Sequence, residues 1–325
     1  MKGRRAWHWL QYRVLQNGKR IFSVLMLLFL MTVSFVFLYP FLYMLVTSIK
    51  SYADLNDVSI NWIPRTPTLR NYAQAWEILE YPRHFMISLG LTAACIAAKI
   101  FVSSFIAYGF ARYRFVGRGP LFAMVILTMI VPTQTILLPQ YIQFSHMGWV
   151  KTALPILIPQ LFGLGLRGGI FIFLFRQFFL GIPKSLEEAA RLDGCGPVGT
   201  YLRISLPAAQ SAIIITIVLA MVWCWNDYYE AQIYLKDMSS WPLPKMLQQV
   251  YYYYEAYRNP SGISASNYNL ASQIRTMDAA TLEKKIVSEG TLMAATFLVI
   301  LPVLIAYAFL QRRFIQGIER SGLVD

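Results

Sequence analysis

Six apolar stretches, each close to the length of a bilayer crossing, recur along the chain at about 21–46, 85–110, 121–138, 159–180, 208–225 and 292–310. A helix needs about 20 mostly apolar residues to cross a hydrocarbon core of about 30 Å. Within that core each backbone N–H and C=O must be satisfied inside the structure, which favours helices. The expected fold is therefore all-α, a polytopic membrane protein with six transmembrane helices. Composition agrees: 57% of the 325 residues are hydrophobic and 14% are charged, against about 25% charged in soluble domains.

The formal charge of +13 invites a nucleic-acid reading, but the basic residues sit in short segments between spans and form no stripe with interleaved aromatics. Anionic membrane lipid and topology account for them better. Residues 1–20 carry six Lys/Arg and no acid. The run that follows is too long for a signal-peptide core and lacks a cleavage site after it, so it reads as a retained first span. The proposed internal segments hold 16 Lys/Arg and the much longer external ones 11, which predicts that both termini are cytoplasmic. The expected layout is a basic cytoplasmic N-terminus (1–20), a transmembrane domain (21–311) and a cytoplasmic tail (312–325). Within the domain lie a cytoplasmic loop at 181–207 and a long external loop at 227–289. Three cysteines, Cys95, Cys195 and Cys224, are too few and too apolar in context for a disulfide frame or a zinc site.

The segment richest in local signals is Pro183-Lys184-Ser185-Leu186-Glu187-Glu188-Ala189-Ala190-Arg191-Leu192-Asp193-Gly194, continuing to Leu206-Pro207. It is a charged, helix-forming island between two apolar runs. Ser185, with Glu188 three residues later, spells a capping box in which the hydroxyl accepts the Glu188 amide and the carboxylate reaches back. Leu186, Ala189, Ala190 and Asp193 are expected on one face. Gly194 is the expected stop, because it tolerates a left-handed backbone. The charge count puts this knob in the cytoplasm. Its small-residue face suits docking to another protein, and an ordinary loop between spans fits the residues equally well.

Two glycine-rich strings mislead. Gly163-Leu164-Gly165-Leu166-Arg167-Gly168 spells a dinucleotide fingerprint, but it lies in an apolar run with no preceding strand. The spacing of Gly165 and Gly169 predicts close helix packing instead. The stretch 194–200 begins like a phosphate loop, yet no lysine follows to reach a phosphate, so no nucleotide site is expected. His8, His84 and His146 are scattered and belong to no catalytic motif. Lys99 falls mid-span, where a lysine costs roughly 2.5–3.5 kcal/mol to insert. It either lines a translocation path, pairs with an acid such as Asp227, or faces a neighbouring helix backbone. Arg167 is expected to snorkel towards the outer surface. Tyr251 to Tyr254 suit an interfacial anchor or a sugar-stacking platform, and 237–289 suits contact with an external protein.

The string EEAARLDG, with Pro183 before it and Ile204, Leu206 and Pro207 after it, resembles the EAA loop of binding-protein-dependent ABC importer permeases. Four further motifs resemble the carbohydrate-importer branch of that family in the same order. They are Ala107-Tyr108-Gly109-Phe110-Ala111-Arg112; Ile130-Val131-Pro132 with Leu138-Pro139-Gln140-Tyr141; Trp225-Asn226-Asp227-Tyr228; and Gln311-Arg312-Arg313-Phe314-Ile315-Gln316-Gly317. Gln140 departs from the usual leucine, and the final eight residues lack the usual basic ending. The resemblance implies that Ser185, Glu187, Glu188, Ala189, Ala190, Asp193, Gly194, Leu206 and Pro207 dock on a cytoplasmic ABC ATPase dimer. In that picture Glu188 orients the helix, Ala189 and Ala190 allow close approach, and Gly194 makes the turn. It further implies a second permease subunit, an external solute-binding protein, an inner-membrane location and a sugar or oligosaccharide cargo. ATP and Mg would be bound by the partner ATPase, leaving this chain without a cofactor or enzymatic activity. Lys99, Asn226 and Asp227 are the expected path residues. An importer of a non-sugar solute, such as a glycerol-phosphate-like one, and a secondary transporter remain the alternatives.

Overall fold

The computed structural model describes residues 2–165, 167–258 and 287–321, so residues 259–286 of the expected external contact segment and the end of the tail lie outside the described residues. The described residues form helices and connecting turns, with no strand among them. Helix α1 (Lys2–Ser48) has 47 residues and is about 70 Å long at 1.5 Å per residue. Short helices α2 (Tyr52–Asn56) and α3 (Arg70–Ile78) follow. Helices α4 (Tyr81–Ala98) and α5 (Ser104–Arg112) are joined without a bend by a π-turn at Lys99–Ser103.

The next three expected spans are bent helix pairs. Helices α6 (Arg118–Ile130) and α7 (Thr133–His146) meet at 100°. Pro132 lacks an N–H and disfavours helix at the residue before it, and Val131 and Pro132 are both extended. Helix α8 (Leu154–Leu157) and a 3₁₀ turn at Pro159–Phe162 precede α9 (Gly168–Gly181). Helix α10 (Lys184–Leu192) turns off α9 at 76°. Then come α11 (Pro197–Thr200), a second π-turn at Tyr201–Ser205, α12 (Leu206–Ala208), α13 (Gln210–Trp225), α14 (Tyr228–Tyr234), α15 (Leu243–Arg258) and α16 (Glu289–Ser321). Three helices are long and apolar enough to cross a membrane, and counting each of three bent pairs as one span raises the number to six.

Three buried clusters hold the bundle. One joins α3, α13, α15 and α16 through Leu79, Trp225, Leu243, Met246, Val250 and Val299. A second joins α5, α9 and the π-turn before α12. The third gathers Cys95, Leu137, Phe144, Ile156 and Tyr234. Phe171, Phe175 and Phe179, spaced four apart on α9, are fully buried. In lipid such stripes hold by dispersion and close fit, since the tails are as apolar as the side chains. Gly169 supplies one such fit: a Cβ there would lie 2.5 Å from Thr128 Oγ1 and 2.8 Å from the Val125 carbonyl oxygen of α6. The expected partner glycine, Gly165, is instead in the break before α9, packed on the Gln160 side chain.

The described part of the expected external loop, up to residue 258, is largely helical. Helix α15 returns into the bundle, with the Leu243 amide donating to Ser88 Oγ at 2.6 Å and the Trp241 carbonyl oxygen 2.7 Å from His84 Nδ1. Lys245 is buried and donates to the carbonyl oxygens of Ala231 and Leu235 at 3.0 and 2.6 Å, its ammonium 4.2 Å from the Trp241 ring. Desolvation pushes the Lys245 ammonium down to about 8. The tyrosine run lies on α15. Tyr253 and Tyr254 pack on the first cluster, while Tyr251 faces outward.

Candidate functional site

Helix α10 is held from behind by one carboxylate. Glu187 is 4% exposed. It accepts from Arg112 Nε at 2.8 Å and from Ser205 Oγ at 2.8 Å. A second Arg112 nitrogen donates to the Ile182 carbonyl oxygen at 2.7 Å. One guanidinium thus ties the end of α5 to both the lead-in and the first turn of α10. The expected capping box does not form. Pro183 occupies the N-cap without a side-chain cap, the helix begins at Lys184, and Ser185 is already inside the first turn. Glu188 is exposed, so the orienting acid is its neighbour Glu187.

The other end closes as expected. Gly194 has φ +85°, its amide donates to the Arg191 carbonyl oxygen at 3.0 Å, and Cys195 N–H donates to that of Ala190 at 2.9 Å. These two bonds make a Schellman stop. The faces also sort differently from the expectation. Ala190 is buried beside Glu187, whereas Leu186, Ala189 and Asp193 are exposed, together with Leu192 at 89% exposure. Val198 and Leu202 extend the apolar surface onto the following turn. Pro207 is exposed and Leu206 is half-buried against the second cluster.

The motif at the end of α5 supplies the platform. Ala107, Tyr108, Phe110 and Ala111 are buried, with the Tyr108 ring 5.1 Å from Tyr201 and 5.5 Å from Phe179. Ser104 Oγ and Tyr201 OH are 2.6 Å apart. They lie at the edges of the two π-turns, which therefore face one another.

Deeper in the bundle Lys99 is 2% exposed. It donates to Gln160 Oε1 at 2.8 Å, and its ammonium is 4.8 Å from the Phe171 ring centre. Asp227 and Glu230 lie within its electrostatic reach. Gln160, Asp227 and Glu230, with Cys95 and Cys224, line a niche of about 20 Å³. Asp227 also caps α14 by accepting the Glu230 amide at 3.3 Å. Asn226 is exposed and donates to Val222 of its own helix at 2.9 Å. Next to the niche a cavity of about 700 Å³ opens between α6, α7 and the break before α9.

The family described as "binding-protein-dependent transport system inner membrane component" matches residues 99–320. The chain belongs to this family. It is a permease, the non-catalytic membrane component of such a system. Among its relatives, Protein LplC of Bacillus subtilis (strain 168) is 28% identical over 92% of this chain and 93% of its own. The polygalacturonan/rhamnogalacturonan transport system permease protein YtcP of the same organism is 26% identical over 92% and 96%. Its arabinooligosaccharides transport system permease protein AraQ is 27% identical over 93% and 96%. The fold is shared with a chain of a solved bacterial ABC transporter involved in the import of the acidic polysaccharide alginate, with a TM-score of 0.70, 22% identity and coverage of 91% of this permease and 98% of that chain.

In the permease, the residues singled out by sequence fall into two groups. Ser185 to Gly194 lie on one helical knob with Glu187 and Ala190 buried at its base, whereas Lys99 is buried deeper, Asp227 is half-buried on the niche wall and Asn226 is exposed. Sequence reasoning missed Arg112 as the partner of Glu187, although it had singled out the motif that ends in Arg112. It also missed Gln160, whose pairing with Lys99 across 61 positions has no local signature. Arg167 is exposed, and its guanidinium lies 4.4 Å from the Trp223 ring.

Proposed function

We propose that this permease imports a sugar or oligosaccharide delivered by an external solute-binding protein, driven by ATP hydrolysis on a partner ATPase dimer that carries the ATP and Mg. The observation that carries the reading is α10, an amphipathic helix clamped behind by Arg112 and Glu187 and bare in front at Leu186, Ala189 and Leu192. A rigid seat with an apolar outer face is what a moving partner needs in order to push on a membrane bundle. Closure of the ATPase dimer moves α10, and the Arg112 clamp passes the movement to α5. Glu187 and Ser185 are assigned to the seat and first turn, Ala190 to the packed face, and Glu188, Ala189 and Asp193 to the contact surface. Gly194 makes the turn, and Leu206 and Pro207 lead back into the membrane.

The six-span count, with both termini cytoplasmic, fits the three straight and three bent spans and the charge bias. A second permease subunit would close the pathway. Relatives named for polygalacturonan and for arabino-oligosaccharides support a saccharide cargo without choosing between acidic and neutral. Lys99 and Asp227 are assigned to the niche beside the path, and Asn226 to its outer edge. Lys99→Met is expected to lower uptake, and unchanged transport and assembly would remove Lys99 from the path. The central test is Leu192→Glu. It should abolish co-purification of the ATPase while leaving the permease folded, and uptake should fail on ATP depletion but survive an uncoupler. Retained ATPase binding in the variant, or uptake that follows the proton gradient, refutes the reading.

A further inference from the structure

Two consecutive spans are interrupted, and both interruptions open on the same cavity of about 700 Å³. One is the Val131–Pro132 bend, where α7 brings Thr133, Gln134 and Gln140 to the wall. The other is the loop before α9, which brings Arg167. Non-helical backbone at membrane depth is tolerated only when it is buried in protein or lines a water-filled space, and broken helices are where transporters bind their solutes. The fourteen residues of α9 place Arg167 about 21 Å from the end that meets the docking loop.

Arg167 is held there at a cost. It adopts φ +55°, a left-handed conformation that costs a non-glycine residue of order 1–3 kcal/mol and tends to mark functional positions. Its neighbours fix that backbone: a Cβ at Gly168 would lie 2.2 Å from the Gly163 carbonyl oxygen, and one at Gly165 would overlap the Gln160 side chain. The guanidinium lies 4.4 Å from the Trp223 ring and, among the described residues, no carboxylate forms an ion pair with it. Stacking uses one face of the guanidinium and leaves the edge N–H donors, whose fork matches a carboxylate. Glu230 is the acid on the cavity wall.

Resting on the saccharide reading above, we infer that Arg167, stacked on Trp223 in a cavity whose wall also carries Gln134 and Gln140, recognises the carboxylate of an acidic sugar, so that the permease takes uronate-bearing oligosaccharides. The glutamines supply donors and acceptors for ring hydroxyls, and the cavity has room for more than one ring.

The test is binding to the full-length permease, assembled with its partner subunits in lipid nanodiscs, of trigalacturonate and of neutral trigalactose. Trigalacturonate should bind at least about tenfold tighter, the factor expected of one charge-assisted hydrogen bond, and the preference should shrink as salt rises. Arg167→Gln should erase the preference while ATPase co-purification is unchanged, and Arg167→Lys should keep part of it. Equal binding of the two sugars by the wild type, or a preference that survives Arg167→Gln, overturns the assignment of Arg167 and leaves the saccharide reading standing. Failure of the intact assembly to bind or take up any saccharide removes that reading and this inference together.

Discussion

The Arg112–Glu187 clamp can be weighed by a double-mutant cycle. Both side chains are nearly closed to solvent, at 4% and 5% exposure, so neither charge is relieved by water when its partner goes. Arg112→Met removes both of its hydrogen bonds and leaves the Glu187 carboxylate with only Ser205. Breaking a buried pair from one side costs about 3–5 kcal/mol. At about 2 °C per kcal/mol for a chain of this size, the apparent melting midpoint should fall by roughly 6–10 °C. Glu187→Leu should cost a similar amount by stranding the guanidinium against the Ile182 carbonyl. The double variant replaces the pair with apolar side chains, a change that is often neutral. It should therefore recover most of the lost stability, giving a coupling energy of several kcal/mol. Function should not recover with it. Without the clamp α10 can tilt on its seat, so ATP hydrolysis by the assembled importer should continue while uptake per ATP falls. Thermal melts and transport-coupled ATPase assays on the four proteins read both quantities. Additive single effects, or full coupling in Arg112→Met, would refute the clamp.

Three more outcomes follow from the same geometry. Gly194→Val should cost about 1–3 kcal/mol through its positive φ alone, since nothing lies within 4 Å of the added Cβ, and should uncouple hydrolysis from uptake. Gly194→Asn, which tolerates the conformation, should stay near wild type, and equal damage from both would point away from backbone strain. Gly169→Leu should wedge α6 from α9 and lower the melting midpoint, while Gly90→Ala, with open space around it, serves as the neutral control; matching melts would contradict the close packing. Lys245, with a folded pKa of about 8 against about 10.4 in an open chain, is harder to protonate when folded. Its buried charge destabilises the fold below pH 8, and stability should rise as pH climbs from 8 to about 10.4. Lys245→Met should flatten that slope in a pH series of melts, and an unchanged slope would assign it elsewhere.

The apolar helices were legible because the length of their apolar runs follows from bilayer thickness. Gly194 was legible because glycine tolerates the left-handed backbone that ends a helix. The capping box was not, since Ser185 and Glu188 have the right spacing while Pro183, with its preset φ, takes the N-cap and starts the helix early. Helix α15 was hidden by charged and tyrosine residues, although Leu243, Met246, Leu247 and Val250 carry its helical spacing. Arg112 with Glu187 and Lys99 with Gln160 are separated by 75 and 61 positions, and only the fold brings them together. Arg167 within an apolar run reads as an ordinary helical residue, and its left-handed backbone is set by neighbours packed across the break.

The π-turn at Lys99–Ser103 sets the phase of everything beyond it. Each residue of an α-helix advances about 100° around the axis, and a π-turn accommodates one residue more than the regular spiral would hold. Deleting a single residue there would leave a sound membrane helix of the right hydropathy and nearly the right length. It would also swing the Ala107–Arg112 face by about a quarter of a revolution, turning Tyr108 from Tyr201 and Arg112 from Glu187. The second π-turn at Tyr201–Ser205 carries the same extra residue on the facing segment, so the two count against each other like the marks of a vernier. Insertions and deletions at these ten positions should be tolerated only in compensating pairs, a rule that a length-variant library selected for uptake would expose directly.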